Sequence, residues 1–137
     1  MILIVDDYQD GADALCRLLT RQGYTCSHAP SGPEALAAIR AHPPEMPLLV
    51  LLDNMMPGMT GLDTLREIRN DQKIAGTTVI FFTAGFDVAN RDEAMTLGAV
   101  AWMLKGGTGG GIDEVIRSIG HWYERVGGVK SAQRPGA

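Results

Sequence analysis

Residues 2–5 (ILIV), 48–52 (LLVLL) and 79–82 (VIFF) are short apolar runs without a single polar interruption. A strand with one wet face alternates apolar and polar side chains. An unbroken run is the pattern of a strand covered on both faces, as in a parallel sheet with helices above and below it. The stretch "YTCSHA" (24–29) is more polar, as an edge strand would be, and "AVAWML" (99–104) supplies a fifth strand. Helical patterns lie between them. Ala12, Leu15, Leu19 and Gln22 follow helical spacing with Gly23 as the stop, Asp10 is placed to cap that helix, and Ser31 with Glu34 reads as a capping box before "ALAAIRAH". Leu62, Leu65 and Ile68 mark a third helix, Asp87 caps a fourth that runs to Leu97, and residues 112–125 form the fifth. Five β-α units imply right-handed crossovers and an α/β, doubly wound five-stranded parallel sheet with helices on both faces.

With 137 residues, 45% of them apolar, the chain can build one domain with a real core. That domain is expected over residues 1–125. Residues 126–137 are too polar and glycine-rich to pack and read as a flexible tail or linker. The longest apolar stretch falls far short of the roughly 20 residues that cross a bilayer, and no basic-then-apolar leader opens the sequence, so no membrane role and a cytoplasmic location are expected. Cys16 and Cys26 have neither metal-ligand spacing nor the density of a disulfide framework, and are expected to be reduced packing residues. A net charge of −4, from 16 acids against 12 bases, gives no broad basic surface and argues against direct contact with nucleic acid.

In a doubly wound sheet, ligands bind beyond the carboxyl ends of the strands. Asp6 and Asp7 follow the first strand, Asp53 ends the third, Thr83 the fourth and Lys105 the fifth, so all five are expected at one rim. Each has an ordinary alternative: a helix cap, a turn former beside Asn54, a plain strand threonine, a surface lysine. Their convergence is what gives them chemical meaning. Carboxylates packed together repel one another unless a cation sits among them, and oxygen-only ligands with room for water suit Mg²⁺ or Mn²⁺ better than zinc. A carboxylate can also attack phosphorus, while a hydroxyl at 83 and an ammonium at 105 suit phosphoryl oxygens. His28, His42 and His121 are scattered and read as solvated or packed, and Met55, Met56 and Met59 as flexible loop or gap-filling residues.

Taken in order, "ILIVDD" (2–7), "LVLLDNMMPGMTG" (49–61), "FFTAG" (81–85) and "GAVAWMLKG" (98–106) resemble the motifs of the response regulator receiver domains of two-component signalling, the CheY-like superfamily. The resemblance covers roughly residues 1–125 and implies the flavodoxin-like fold with strand order 2-1-3-4-5. It implies Asp53 as phosphoacceptor; Asp7, Asp53 and the backbone carbonyl of Met55 as Mg²⁺ ligands, with Asp6 assisting through water; Thr83 and Lys105 as holders of the phosphoryl group; and Trp102 at the switch-aromatic position. The implied partners are a sensor histidine kinase or phosphotransfer protein and an unknown downstream protein. The latter would be met through helix 4, strand 5 and helix 5. The implied activity is acceptance of a phosphoryl group and slow self-hydrolysis, with no turnover of a separate substrate.

The sequence departs from the family pattern in places. Gly106 stands where proline, commonly with a cis bond, is usual, so a trans bond, a more mobile "GGTGGG" loop and a less firmly held Lys105 are expected. That glycine run lacks the order of a nucleotide-binding loop. Trp102 is bulkier than the usual tyrosine or phenylalanine, which predicts either hindered inward rotation or a partner-contact role. Val100 and Ala101 replace acids found in members that dimerise through charged pairs. This leaves a weak apolar homodimer as an open reading. Two other function classes remain: a degenerate receiver that binds partners without phosphorylation, and a phosphatase of the haloacid dehalogenase type. The phosphatase needs a second aspartate where Met55 stands.

Overall fold

The computed structural model describes residues 1–106 and 109–130. Its strands are β1 (Ile2–Val5), β2 (Cys26–Ala29), β3 (Leu49–Leu52), β4 (Thr78–Thr83) and β5 (Ala101–Leu104). The helices are α1 (Gln9–Arg21), α2 (Gly32–Ala41), α3 (Gly61–Asn70), α4 (Val88–Thr96) and α5 (Gly111–Arg125). All strand pairs are parallel and the order is β2-β1-β3-β4-β5, the doubly wound flavodoxin-like arrangement.

The unbroken apolar runs become the three central strands, and every residue of β1 and β3 is buried. Their alternate side chains feed two cores. Leu3, Val5, Val50, Leu52 and Phe81 join residues of α2, α3 and α4, whereas Ile2, Ile4, Leu49, Leu51 and Phe82 join residues of α1 and α5. Each such side chain contributes about 1.5–3 kcal/mol on burial, which is why a polar residue is tolerated in these strands only at their ends. The polar β2 and the half-buried β5 lie at the edges.

Helix ends follow the sequence with two corrections. Asp10 is not the cap of α1: Tyr8 occupies that position without a side-chain cap, and Asp10 sits in the first turn, where its charge complements the helix dipole. At α2, Ser31 Oγ accepts from the Glu34 amide at 3.3 Å, but the reciprocal bond is not made. The complete capping box belongs to α3, where Thr60 Oγ1 accepts from the Asp63 amide and Asp63 Oδ2 accepts from the Thr60 amide. Asp87 caps α4 as expected, accepting from the Asn90 amide at 2.9 Å.

Two arginines of α3 tie down α4. Arg66 bridges Asp63 and Glu93. Arg69 donates to the carbonyls of Leu97 (2.7 Å), Gly98 (3.2 Å), Ala75 (2.7 Å) and Thr77 (2.8 Å), joining the α3–β4 connection to the foot of α4.

After α5, Val126 packs half-buried on the α1/α5 core, the buried Gly128 donates its amide to Tyr123 O, and Lys130 Nζ stands 5.3 Å from the Tyr24 ring centre. Residues 131–137, the rest of the expected tail, lie outside the described residues, as do Gly107 and Thr108 of the glycine-rich loop. No helix among the described residues is long and apolar enough to cross a membrane.

Candidate functional site

The rim at the carboxyl ends of the strands is assembled by the sheet register. The Asp53 amide donates to Val5 O, the Asp6 amide to Ala29 O and the Lys105 amide to Thr83 O, so the residue after each strand is still held by its neighbour. Carboxylate oxygens of Asp6, Asp7 and Asp53 lie within 4.8 Å of one another. Asp6, Asp53 and Thr83 are buried, and Asp7 is exposed.

Lys105 reaches into this cluster, with Nζ 2.5 Å from Asp6 Oδ2 and 3.5 Å from Asp53 Oδ2. Asp6 Oδ1 also accepts from the Tyr8 amide at 2.9 Å, and Asp53 Oδ1 from the Met55 amide at 3.3 Å. Burial pushes the Asp53 carboxyl above its usual range; Lys105 opposes this and the Asp6 charge reinforces it. Burial also works against the charge on Lys105, but hydrogen bonding and attraction from Asp6 and Asp53 outweigh it and raise the ammonium's pKa. The looser hold on Lys105 expected from the missing proline is therefore corrected: two carboxylates fix its head, and the β5 ladder fixes its backbone. No cis peptide occurs among the described residues, so the Lys105–Gly106 bond is trans, as expected.

The turn after Asp53 has a steric logic. Gly58 takes φ +76°, which favours glycine, and a Cβ on Gly61 would stand 2.4 Å from Asp53 O. The start of α3 thus presses directly on the backbone of the acidic residue. Buried Asn54 locks this contact: its Oδ1 accepts from the Leu62 amide at 3.1 Å and its carbonyl from the Gly61 amide at 3.1 Å. Sequence reasoning treated Asn54 only as a turn neighbour.

Two polar atoms near the rim stand out. Thr83 Oγ1 and Trp102 Nε1 are buried without a hydrogen bond of good geometry among the described residues, although the Thr83 hydroxyl is near enough to Asp53 to favour its charged form. Trp102 is half-buried and stacks on Phe81, with ring centres 5.2 Å apart and planes 9° from parallel. Its ring packs against the core shared by α2, α3 and α4. His28 was expected only to pack or face solvent, yet its Nε2 lies 2.7 Å from Asp6 O. His42 bonds Met46 O, and His121 stacks edge-on against Trp122. Cys16 and Cys26 are free thiols, and burial pushes the Cys26 thiol pKa up.

The donor set fits a hard divalent cation. Two of the three carboxylates meet one ammonium, the oxygens of all three are close enough to share an ion, and exposed Asp7 leaves a side open to water.

A parallel sheet of this order with an acidic cluster and a lysine at its carboxyl rim defines a class of signalling domain. The response regulator receiver domain model matches residues 2–117, and the chain belongs to that family, the receiver domains of two-component response regulators. YrkP of Bacillus subtilis, described as an uncharacterized transcriptional regulatory protein, is 35% identical over 76% of this chain and 42% of its own length. The DNA-binding response regulator MtrA of Mycobacterium tuberculosis is 35% identical over 76% of this chain and 43% of its own. The chain thus spans less than half the length of either relative. Among solved structures, the response regulator TrrA of Thermotoga maritima in complex with Mg²⁺-BeF is 28% identical, covers 88% of this chain and 96% of its own, and superposes with a TM-score of 0.69.

Proposed function

We propose that this domain is a phosphorylation-dependent switch in which Asp53 accepts a phosphoryl group from a phosphohistidine of a sensor histidine kinase or phosphotransfer protein. The observation that carries the reading is the convergence of Asp6, Asp7, Asp53 and Lys105 from three strand ends on one point. Asp53 Oδ attacks phosphorus, the P–N bond to the donor imidazole breaks, and its electron pair stays on the imidazole nitrogen. Asp7, Asp53 and the Met55 carbonyl would hold Mg²⁺, or Mn²⁺, with Asp6 acting through water. The ion supplies neutralising charge for the transferring group.

Lys105, already 3.5 Å from Asp53, would take a phosphoryl oxygen, and the Thr83 hydroxyl, which makes no hydrogen bond of good geometry, would gain a well-aligned acceptor in another. Drawing Thr83 toward the group rearranges residues 84–87 and shifts the face made by α4, β5 and α5. A cleft of about 280 Å³ opens on that face, lined by Phe86, Arg91, Trp102, Met103 and Glu114 among others. Because Trp102 already stacks on Phe81, the change in this domain would come from the β4–α4 loop more than from rotation of the aromatic. The output is altered binding of a downstream protein. Neither a membrane, nor nucleic acid contacted by this chain, nor turnover of a separate substrate is part of the reading.

Calorimetric titration with Mg²⁺ and beryllofluoride tests it, with Trp102 fluorescence followed in a Trp122→Phe background. Metal-dependent binding that is lost in Asp53→Asn is expected. Absence of binding would leave a receiver that works without phosphorylation, and turnover of added phosphomonoesters would indicate a phosphatase.

A further inference from the structure

We infer that His28 is a positioning residue that aims the Asp6–Asp7 pair by holding the peptide between them. The inference rests on the reading of the rim as a Mg²⁺-dependent phosphoacceptor site and adds to it a residue from β2, a strand that supplies no ligand. In the β1–β2 register Ile4 stands opposite His28 and Val5 opposite Ala29, and the last ladder bond runs from the Asp6 amide to Ala29 O at 3.1 Å. The Asp6 carbonyl lies beyond the ladder. His28 reaches forward to it, with Nε2 2.7 Å from the oxygen. A carbonyl can only accept, so Nε2 carries the proton in this bond.

The consequence lies in the peptide plane. Asp6 C=O and Asp7 N–H belong to one rigid unit, so fixing the oxygen fixes the direction in which the chain enters Asp7. Asp6 has other anchors for its carboxylate, the Tyr8 amide and Lys105. The Asp7 carboxylate makes no hydrogen bond or ion pair with any described residue, and so its aim is inherited from its backbone. The imidazole sets that backbone from the side. Groups that orient metal ligands in this way commonly affect metal affinity strongly on removal.

The test uses two variants and two readouts. His28→Leu keeps bulk and removes the donor, while His28→Gln presents an amide N–H at similar reach. By calorimetry, His28→Leu is expected to bind Mg²⁺ about fivefold more weakly than wild type, the worth of roughly one hydrogen bond. His28→Gln is expected to recover most of that loss. In metal-free protein, nitrogen NMR is expected to show a proton on His28 Nε2 protected from exchange. The Asp7 and Tyr8 amide resonances should move in His28→Leu and return in His28→Gln. Wild type that binds Mg²⁺ while His28→Leu binds equally well overturns this inference alone, as does a glutamine variant as weak as the leucine one. Wild type that binds no Mg²⁺ overturns the functional reading and this inference with it. Should His28→Leu not fold, the Nε2 proton of the wild-type protein decides: protection supports the inference and free exchange overturns it.

Discussion

Lys105 Nζ stands 2.5 Å from Asp6 Oδ2 and 3.5 Å from Asp53 Oδ2, so one ammonium from the end of β5 joins the ends of β1 and β3. The lysine therefore occupies part of the negative field that a divalent ion would enter. Removing it should have opposite effects on metal binding and on switching. We expect Lys105→Met to bind Mg²⁺ more tightly, by about fivefold for a partly exposed pair. The same variant should be less stable without metal and should lose the beryllofluoride response. Calorimetry beside urea unfolding checks all three, and weaker Mg²⁺ binding in the variant would refute the competition.

Asp53 carries a pH dependence whose sign is set by burial. Burial raises its carboxyl pKa above the ordinary 3.8, with Lys105 opposing and Asp6 adding to the rise, so the folded state holds this proton more tightly than the unfolded chain. Its contribution favours folding below 3.8 and is lost as pH rises through the raised folded value. Metal-free Asp53→Asn should therefore melt a few degrees higher than wild type at neutral pH. That advantage should shrink as the pH falls toward 3.8. Mg²⁺ should raise the melting temperature of wild type far more than that of the variant. Thermal melts across this range, with and without chelator, provide the measurement.

Trp102 places a buried, unpaired Nε1 beside an apolar stack on Phe81. An unsatisfied buried donor costs about 1–3 kcal/mol, and phenylalanine keeps the stack without it. Trp102→Phe is expected to match wild type or exceed it by up to about 1 kcal/mol in urea unfolding. Trp102→Ala, which removes the ring, should lose about 3 kcal/mol. A clear loss in the phenylalanine variant would mean that the indole N–H has a partner.

Gly61 touches Asp53 through the backbone, since an added Cβ would meet Asp53 O at 2.4 Å. Gly61→Ala should destabilise the domain by about 1–3 kcal/mol, the usual cost of overpacking. It should also weaken beryllofluoride binding beyond what the stability loss explains, because the displaced atom belongs to Asp53 itself. Retention of full binding in a folded variant would show that the loop absorbs the strain elsewhere.

Much of this was legible because burial on both sides leaves an unmistakable trace. The runs at 2–5, 48–52 and 79–82 can be apolar throughout only in the middle of a covered sheet, so charged residues at their ends are confined to the rim. What escaped the sequence depends on contacts that no local pattern records. A lone histidine in an edge strand gives no sign that its ring bonds a neighbouring strand's carbonyl; only the folded register, which sets it opposite Ile4, two residues short of Asp6, brings the two together. The capping box at Thr60 and Asp63 had the same spacing as Ser31 and Glu34. At Ser31 the hydroxyl lies 3.4 Å from the Glu34 carboxylate, and no reciprocal bond to the Ser31 amide forms. Lys105 was expected to be loose because proline was missing, but its position is decided by two acids distant in sequence.

The four carbonyls gathered by Arg69 have a mechanical consequence. They clamp the connection before β4 and the last turn of α4 to α3, and Arg66 adds a strut to Glu93 halfway along the same helix. At the other end of α4, Phe86 and Val88 are exposed, and the contacts there, Arg91 over the Phe86 ring and the Asp87 cap, stay within the helix and its lead-in. A pull on Thr83 would therefore tilt α4 like a lever pinned at its far end, so the largest excursion would fall beside the acidic rim and almost none at the opposite pole.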